Sequence, residues 1–204
     1  MKIIGLSGGI ASGKNFLAEI FAKNGAAIFD ADKEVHKLLE SDKSTFDEVL
    51  KKFPQAIINK KIDRKILGKI VFADEKKLKI LEKILHPQVR KKYQEFLKIA
   101  EKEKREIVVL NVPLLLESEV YKCDKILAII TSKALQKQRF LEREKEKNPQ
   151  VFSAEKKSLE KKFAQIRSKQ ISNLERKRKA DFIINGSAAK AEIIKQIKKI
   201  IEEI

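Results

Sequence analysis

The chain has 204 residues, of which 43% are hydrophobic and 37% charged, with a formal net charge of +17 and a single cysteine. That length suits one domain with small insertions. No apolar run approaches a membrane span, the first residues enter a strand without a signal-peptide pattern, and Cys123 alone builds neither a disulfide framework nor a metal cluster. These properties lead us to expect a soluble, cytoplasmic protein. The positive charge would suit a nucleic-acid partner. Its lysines, however, are spread over nearly every expected helix, with few aromatics between them and no recognisable RNA-binding or zinc-finger signature. We read them as a general basic bias and a surface suited to polyphosphates rather than as a nucleic-acid site.

Taken in chain order, Lys2-Ile3-Ile4-Gly5-Leu6 reads as a buried strand. The stretch Gly8-Gly9-Ile10-Ala11-Ser12-Gly13-Lys14 follows, then Asn15-Phe16 and a helix with Phe16, Leu17, Ile20 and Phe21 on one face. Strand, G-x-x-x-x-G-K and helix is the context a phosphate-binding P-loop requires. A plain glycine-rich turn would not need the flanking strand and helix. Glycines let backbone N–H groups turn inward, and together with the helix N-terminus they cradle anionic oxygens. Lys14 then reaches the β- and γ-phosphates as a point charge. Asn15 stands where this motif usually carries the Ser or Thr that binds Mg²⁺; its amide oxygen offers a contact to a metal or to a metal-bound water.

Asn24-Gly25 ends the helix, and residues 26–29 form a second strand leading into Asp30-Ala31-Asp32 and a helix over 33–39. Ligands of open α/β sheets bind outside the carboxyl ends of strands, so these carboxylates are expected near the P-loop mouth. Asp32 suits a general base or a metal-water ligand; helix capping is the plainer role. Residues 44–104 read as almost wholly helical: 45–53 up to Pro54, a turn at 59–61, a helix over 64–72 capped by Asp63, and one over 75–85 capped by Asp74. His86-Pro87 is expected to break the pattern and Pro87 to open a further helix. So much helix exceeds one crossover and implies an inserted subdomain. Taken alone, Arg64 reads as a solvated surface group or a ligand-phosphate contact, and His86 before Pro87 as a residue that satisfies a kink.

Glu106-Ile107-Val108-Val109-Leu110-Asn111 is a central parallel strand, followed by Val112-Pro113-Leu114-Leu115-Leu116-Glu117 with three packing leucines. Residues 125–130 form a fourth strand. Ser132 caps a helix that carries Arg139 and Arg143 on one face, either a phosphate clamp or ordinary surface charge. Residues 148–179, polar and containing Arg167, Gln170, Arg176 and Arg178, read as a lid built on one long helix. A fifth strand and turn, 181–186, and an amphipathic helix, 188–204, close the chain.

Together these stretches resemble the dephospho-CoA kinase family, which phosphorylates the ribose 3′-hydroxyl in the last step of coenzyme A synthesis. The resemblance spans almost the whole chain. It is carried by the P-loop, Asp30-Ala31-Asp32, Asp63-Arg64, Val71-Phe72, Leu85-His86-Pro87 with Val89-Arg90, and Val112-Pro113-Leu114-Leu115-Leu116-Glu117. Arg139 with Arg143, and Ala180-Asp181 with Asn185, complete it. The Asp-Ala-Asp, His-Pro and Pro-Leu-Leu-x-Glu elements, in this order, are far more specific than the P-loop. The resemblance implies an α/β P-loop NTPase fold: a five-stranded parallel sheet flanked by helices, an inserted helical CoA subdomain and a helical lid. In one domain over 1–204 the core is expected at about 1–32, 105–138 and 180–204, the substrate subdomain at about 33–104 and the lid at about 139–179.

It further implies that residues Gly8, Gly9, Ile10, Ala11, Ser12, Gly13, Lys14, Asn15 and Phe16 bind ATP, with Asn185 bordering the adenine. Asp32 resembles the base that takes the 3′-hydroxyl proton. Asp32, Asp63, Arg64, His86, Leu115 and Glu117 resemble the dephospho-CoA pocket, and Arg139 and Arg143 the lid-base arginines facing the phosphates. Mg²⁺ is implied, with Asn15 as its contact, directly or through water. The chain departs from the family pattern at Asn15, Phe16, Asn111 and Leu116. Its lid is longer between Arg143 and Gln170, and Ile166 stands where an arginine is common, with Arg167 beside it. The alternatives are another small-molecule P-loop kinase, a basic nucleic-acid-binding ATPase, and a nucleotide binder without turnover. No oligomeric state is implied, and no membrane.

Overall fold

The structure is a computed structural model and describes residues 1–118, 120–150 and 152–204. The chain divides into two compact units, the first made of 1–29 and 104–204 and the second of 30–103.

The first unit is organised by strand β1 (Lys2–Gly8), buried from Ile4 to Gly8. Burial of consecutive residues, on both faces, is what a central parallel strand flanked by helices demands. It pairs in parallel with β5 (Ile107–Asn111) on one side and β6 (Lys125–Ile130) on the other. With β2 (Ala27–Asp30) and β7 (Phe182–Asn185) these make a five-stranded parallel sheet in the order β2-β5-β1-β6-β7. Helices α1 (Lys14–Lys23) and α9 (Lys190–Glu203) bury Leu17, Ile20 and Phe21, and Ile193, Ile197 and Ile200, in one cluster with Ile4, Leu6, Val109, Leu127 and Ile129. Just outside β7, Asp181 accepts from the Ile126 amide at 2.8 Å and from Lys125 Nζ at 3.1 Å. Those two bonds hold its carboxyl below the ordinary carboxylate range.

The polar stretch after β6 is α6 (Lys133–Lys147), α7 (Phe152–Ser168) and α8 (Asn173–Lys179). The single long helix expected for 148–179 is therefore two. Ser172 makes the break: it caps α8 in a reciprocal box with Glu175, an N-terminus signature that general Lys/Glu richness hid. Phe140 of α6 packs on Phe163 of α7 with ring centroids 5.6 Å apart.

The second unit holds α2 (Ala31–Ser41), α3 (Lys43–Lys52), a two-stranded hairpin of β3 (Ile57–Ile58) and β4 (Lys61–Ile62), α4 (Arg64–Phe72) and α5 (Glu75–Lys102). The turn expected at 59–61 joins these short strands, with Asn59 and Lys60 both at positive φ (49° and 60°). That is the geometry of a tight two-residue hairpin turn. The break expected at His86-Pro87 is absent: α5 runs through Pro87. Leu81, Leu85, Val89 and Tyr93, each one turn apart, form a buried stripe that favours an unbroken helix. Pro87 itself is exposed, as is Lys83 one turn before it, so the amide that a proline cannot supply is missing on the solvent side of the helix.

Candidate active site

The phosphate cradle begins where β1 ends. Ala11 (φ 53°) and Gly13 (φ 111°) take left-handed conformations around Ser12, a pattern that turns successive amides toward one point. Gly13 is the N-cap of α1 and supplies no side-chain cap, so the first-turn N–H groups of that helix are left for an incoming anion. Lys14 Nζ donates to the Gly8 carbonyl at 2.8 Å, which folds the lysine over the loop. Ser12 Oγ is buried with no hydrogen-bond partner. An orphaned hydroxyl costs about 1–3 kcal/mol, a cost that a phosphate oxygen would relieve. The loop thus fits a polyphosphate.

Its floor comes from the neighbouring strands. Thr131, just past β6, donates from Oγ1 to the Ser12 carbonyl at 3.1 Å. Arg139 on α6 donates from Nη1 to the same carbonyl at 3.3 Å and from Nη2 to the Gly186 carbonyl at 3.0 Å. Arg139 thereby staples the phosphate loop to the loop after β7. Gly186 is required by proximity, since a Cβ there would overlap Thr131 Oγ1. In the same loop Asn185 Oδ1 accepts from the Ser187 amide at 3.0 Å. Arg143, one turn beyond Arg139, is exposed; it lies over the Phe140 ring at 5.7 Å and 3.7 Å from Glu144 Oε1.

Two of the departures from the family pattern meet here. Asn111 at the carboxyl end of β5 donates from Nδ2 to Asn15 Oδ1 at 3.0 Å. P-loop NTPases place a Ser/Thr hydroxyl and a strand-end Asp at this kind of position to hold Mg²⁺. This chain puts a neutral amide pair there. Among the described residues no cluster of three or more His, Cys, Asp or Glu could hold a metal. The donor set fits a hydrated Mg²⁺ carried by substrate phosphates rather than a dehydrated ion held by protein carboxylates.

The segment between α7 and α8 lies against the loop. Gln170 Oε1 accepts from the Ile10 amide at 2.9 Å, and Glu117 Oε1 accepts from the Ile171 amide at 2.9 Å. Arg176 on α8 is only 2% exposed. It donates to Ser7 Oγ at 3.0 Å and Asn173 Oδ1 at 3.1 Å, and its Nη2 is 3.9 Å from Glu117 Oε1. Burial pulls its guanidinium below the usual arginine range; Glu117 opposes that shift and Arg167 adds to it. Arg167 Nε is itself buried without a partner. Leu115 is buried and comes up against Gly5: a Cβ on Gly5 would lie 2.5 Å from Leu115 Cδ2. Leu114, by contrast, is 38% exposed, so the three leucines do not pack alike.

The remaining expected site residues belong to the second unit. Asp63 caps α4, its Oδ1 accepting from the Lys65 and Ile66 amides at 2.8 and 2.9 Å. Arg64 follows it, exposed, and His86 is exposed on α5. At the start of α2 the cap is Asp30, accepting from the Lys33 amide at 3.1 Å. Asp32 lies in the first turn with its side chain exposed and is not the cap.

The model of the dephospho-CoA kinase family matches residues 2–192. The chain belongs to the dephospho-CoA kinase family. Curated dephospho-CoA kinases resemble it end to end. That of Bartonella quintana (strain Toulouse) is 38% identical over 205 residues, covering 100% of this chain and 98% of the relative. That of Fusobacterium nucleatum is 37% identical over 208 residues, covering 100% and 99%. Among solved structures, the dephospho-CoA kinase from Campylobacter jejuni superposes with a TM-score of 0.66 at 31% identity, covering 98% of this chain and 96% of that one. A Thermus thermophilus protein of 23% identity shares the fold, with a TM-score of 0.75 and coverage of 100% and 97%. Among the described residues no helix is long and apolar enough to cross a membrane.

Gln170 and Arg176 were expected only as parts of a lid; their contacts, the Thr131 bond and the Asn15–Asn111 contact are not visible in sequence. They join residues 160, 169, 119 and 96 positions apart. The departures at Asn15 and Asn111 stood out in sequence as two separate oddities, with nothing to pair them.

Proposed function

We propose that this chain transfers the γ-phosphoryl group of ATP to the ribose 3′-hydroxyl of dephospho-CoA, giving coenzyme A and ADP. The observation that carries this is a formed phosphate cradle, Gly8 to Lys14, in a chain that matches the family over residues 2–192. The 3′-oxygen attacks the γ-phosphorus in line, the bond from that phosphorus to the β,γ-bridging oxygen breaks, and ADP leaves. Asp32 orients the 3′-hydroxyl and takes its proton on a carboxylate oxygen. The loose transition state asks for positioning of the hydroxyl more than for a strong base.

Residues Gly8, Gly9, Ile10, Ala11, Ser12, Gly13 and Asn15 hold the β- and γ-phosphates, and Lys14 neutralises charge on them. Phe16 shapes the first turn of α1 and Asn185 borders the adenine. Arg143, and Arg139 through its hold on the loop, place positive charge where negative charge accumulates in transfer. Arg167 takes the part of the arginine common at position 166. Asp63, Arg64, His86, Leu115 and Glu117 form or support the dephospho-CoA pocket. Asn15, oriented by Asn111, would hold Mg²⁺ through its water shell; bound there, the ion supplies charge neutralisation on the β- and γ-oxygens. The setting is cytoplasmic, and the partner is a small molecule rather than a nucleic acid.

The test is ADP release from Mg²⁺-ATP with dephospho-CoA, adenosine, AMP or no acceptor, with mass detection of coenzyme A. Coenzyme A formed only from dephospho-CoA is expected. Turnover with another acceptor, or ATP binding with no turnover, would overturn the proposal. Asp32→Ala should still bind ATP while losing about 10²–10⁴-fold in turnover; near-normal turnover would remove Asp32 from its role.

A further inference from the structure

Arg176 is a buried cation that the reaction as written does not use. A guanidinium out of water is expensive unless every donor finds a partner. Here the partners are not scattered through the core. Ser7 is the last residue before the phosphate loop's Gly8. Glu117 closes the loop after β5 and also accepts from the Ile171 amide. Asn173 accepts from Arg176 and, through its own Nδ2, donates to the Thr131 carbonyl at 3.1 Å. One side chain thus gathers the carboxyl ends of β1 and β6 and the loop after β5. The segment it docks, 169–172, carries Gln170, which accepts from the Ile10 amide in the cradle. The Ser172–Glu175 box fixes the start of α8, so Arg176 sits at a set distance from Gln170.

We propose that Arg176 is a positioning residue of the phosphotransfer site: it docks the 169–172 segment on the sheet so that Gln170 holds the phosphate loop in its working shape. Shape is the reason for arginine. Its fork donates from Nε and both terminal nitrogens along fixed directions, whereas a lysine offers one point of charge. Displacements of about 1 Å in such supports cost up to about 100-fold in rate.

The experiment uses the full chain with Arg176→Lys and Asn173→Ala. It reads thermal stability, amide hydrogen exchange at Ile10 and Ile171, affinity for a fluorescent ATP analogue, and kcat and KM. For Arg176→Lys we expect a folded protein, exchange at both amides faster by about tenfold or more, and kcat lower by about 10–100-fold, with KM for dephospho-CoA changed less. Asn173→Ala should move the same readouts in the same direction by less. Unchanged exchange, or wild-type kcat in a folded Arg176→Lys, overturns the proposal, because charge alone would then suffice. Should Arg176→Lys fail to fold, Asn173→Ala decides by the same two readouts. The kinetic arm rests on the proposed reaction. Wild-type protein inert toward dephospho-CoA would defeat that reaction, while the exchange comparison would still decide whether Arg176 docks the segment.

Discussion

Replacing Gly186 by alanine tests how tightly the floor of the phosphate loop is built. The new methyl group would overlap Thr131 Oγ1 and lie 3.0 Å from Ile129 Cγ1 and 3.2 Å from the Ser12 carbonyl. Thr131 and Ile129 are each about 1% exposed, so neither can swing into solvent. Overpacking of this kind costs about 1–3 kcal/mol, and expelling Thr131 from its bond to Ser12 adds about 0.5–1.5 kcal/mol. A total of about 1.5–4.5 kcal/mol at this chain length lowers Tm by about 3–18 °C. The same shift moves the Gly186 carbonyl that Arg139 grips, so affinity for ATP should fall with stability. Thermal unfolding by circular dichroism and titration with a fluorescent ATP analogue measure both. Thr131→Ala in the same chain removes the worst overlap and should recover about half of the loss, since the contacts with Ile129 and Ser12 remain. A Gly186→Ala protein with wild-type Tm and ATP affinity would refute the packing described for this loop.

Two further outcomes follow from the site. Asn111→Asp sets a carboxylate beside Asn15 and should lower the Mg²⁺ concentration needed for half-maximal thermal stabilisation by ADP by about tenfold. No change would mean that the amide pair does not face the metal. Cys123 is half-buried beside Asp124, and burial first, then that charge, pushes its thiol up to about 11. At pH 8 only about one thiol in a thousand is then ionised, so iodoacetamide should modify folded protein far more slowly than urea-unfolded protein. Equal rates in the two states would contradict the burial.

The sequence alone determined the phosphate cradle, because its chemistry is local: glycines, one lysine, and a strand and helix on either side within about twenty residues. It also determined the five strands, whose apolar runs are long enough to announce a sheet buried on both faces. Family membership was legible in ordered motifs such as His86-Pro87 and Pro113-Leu114-Leu115-Leu116-Glu117. Local rules failed where packing outweighs them. Pro87 predicts a break, but a buried stripe from Leu81 to Tyr93 carries α5 through it, with the proline on the wet side. In sequence the capping role reads onto Asp32, whereas the observed start of α2 assigns the cap to Asp30. The tertiary structure alone decided that Arg139 grips two backbone carbonyls, that Asn15 meets Asn111, and that Arg176 joins Ser7 to Glu117. Those bonds span 47 to 169 residues of chain, and nothing in the periodicity of a strand or helix encodes which distant polar groups its ends will meet.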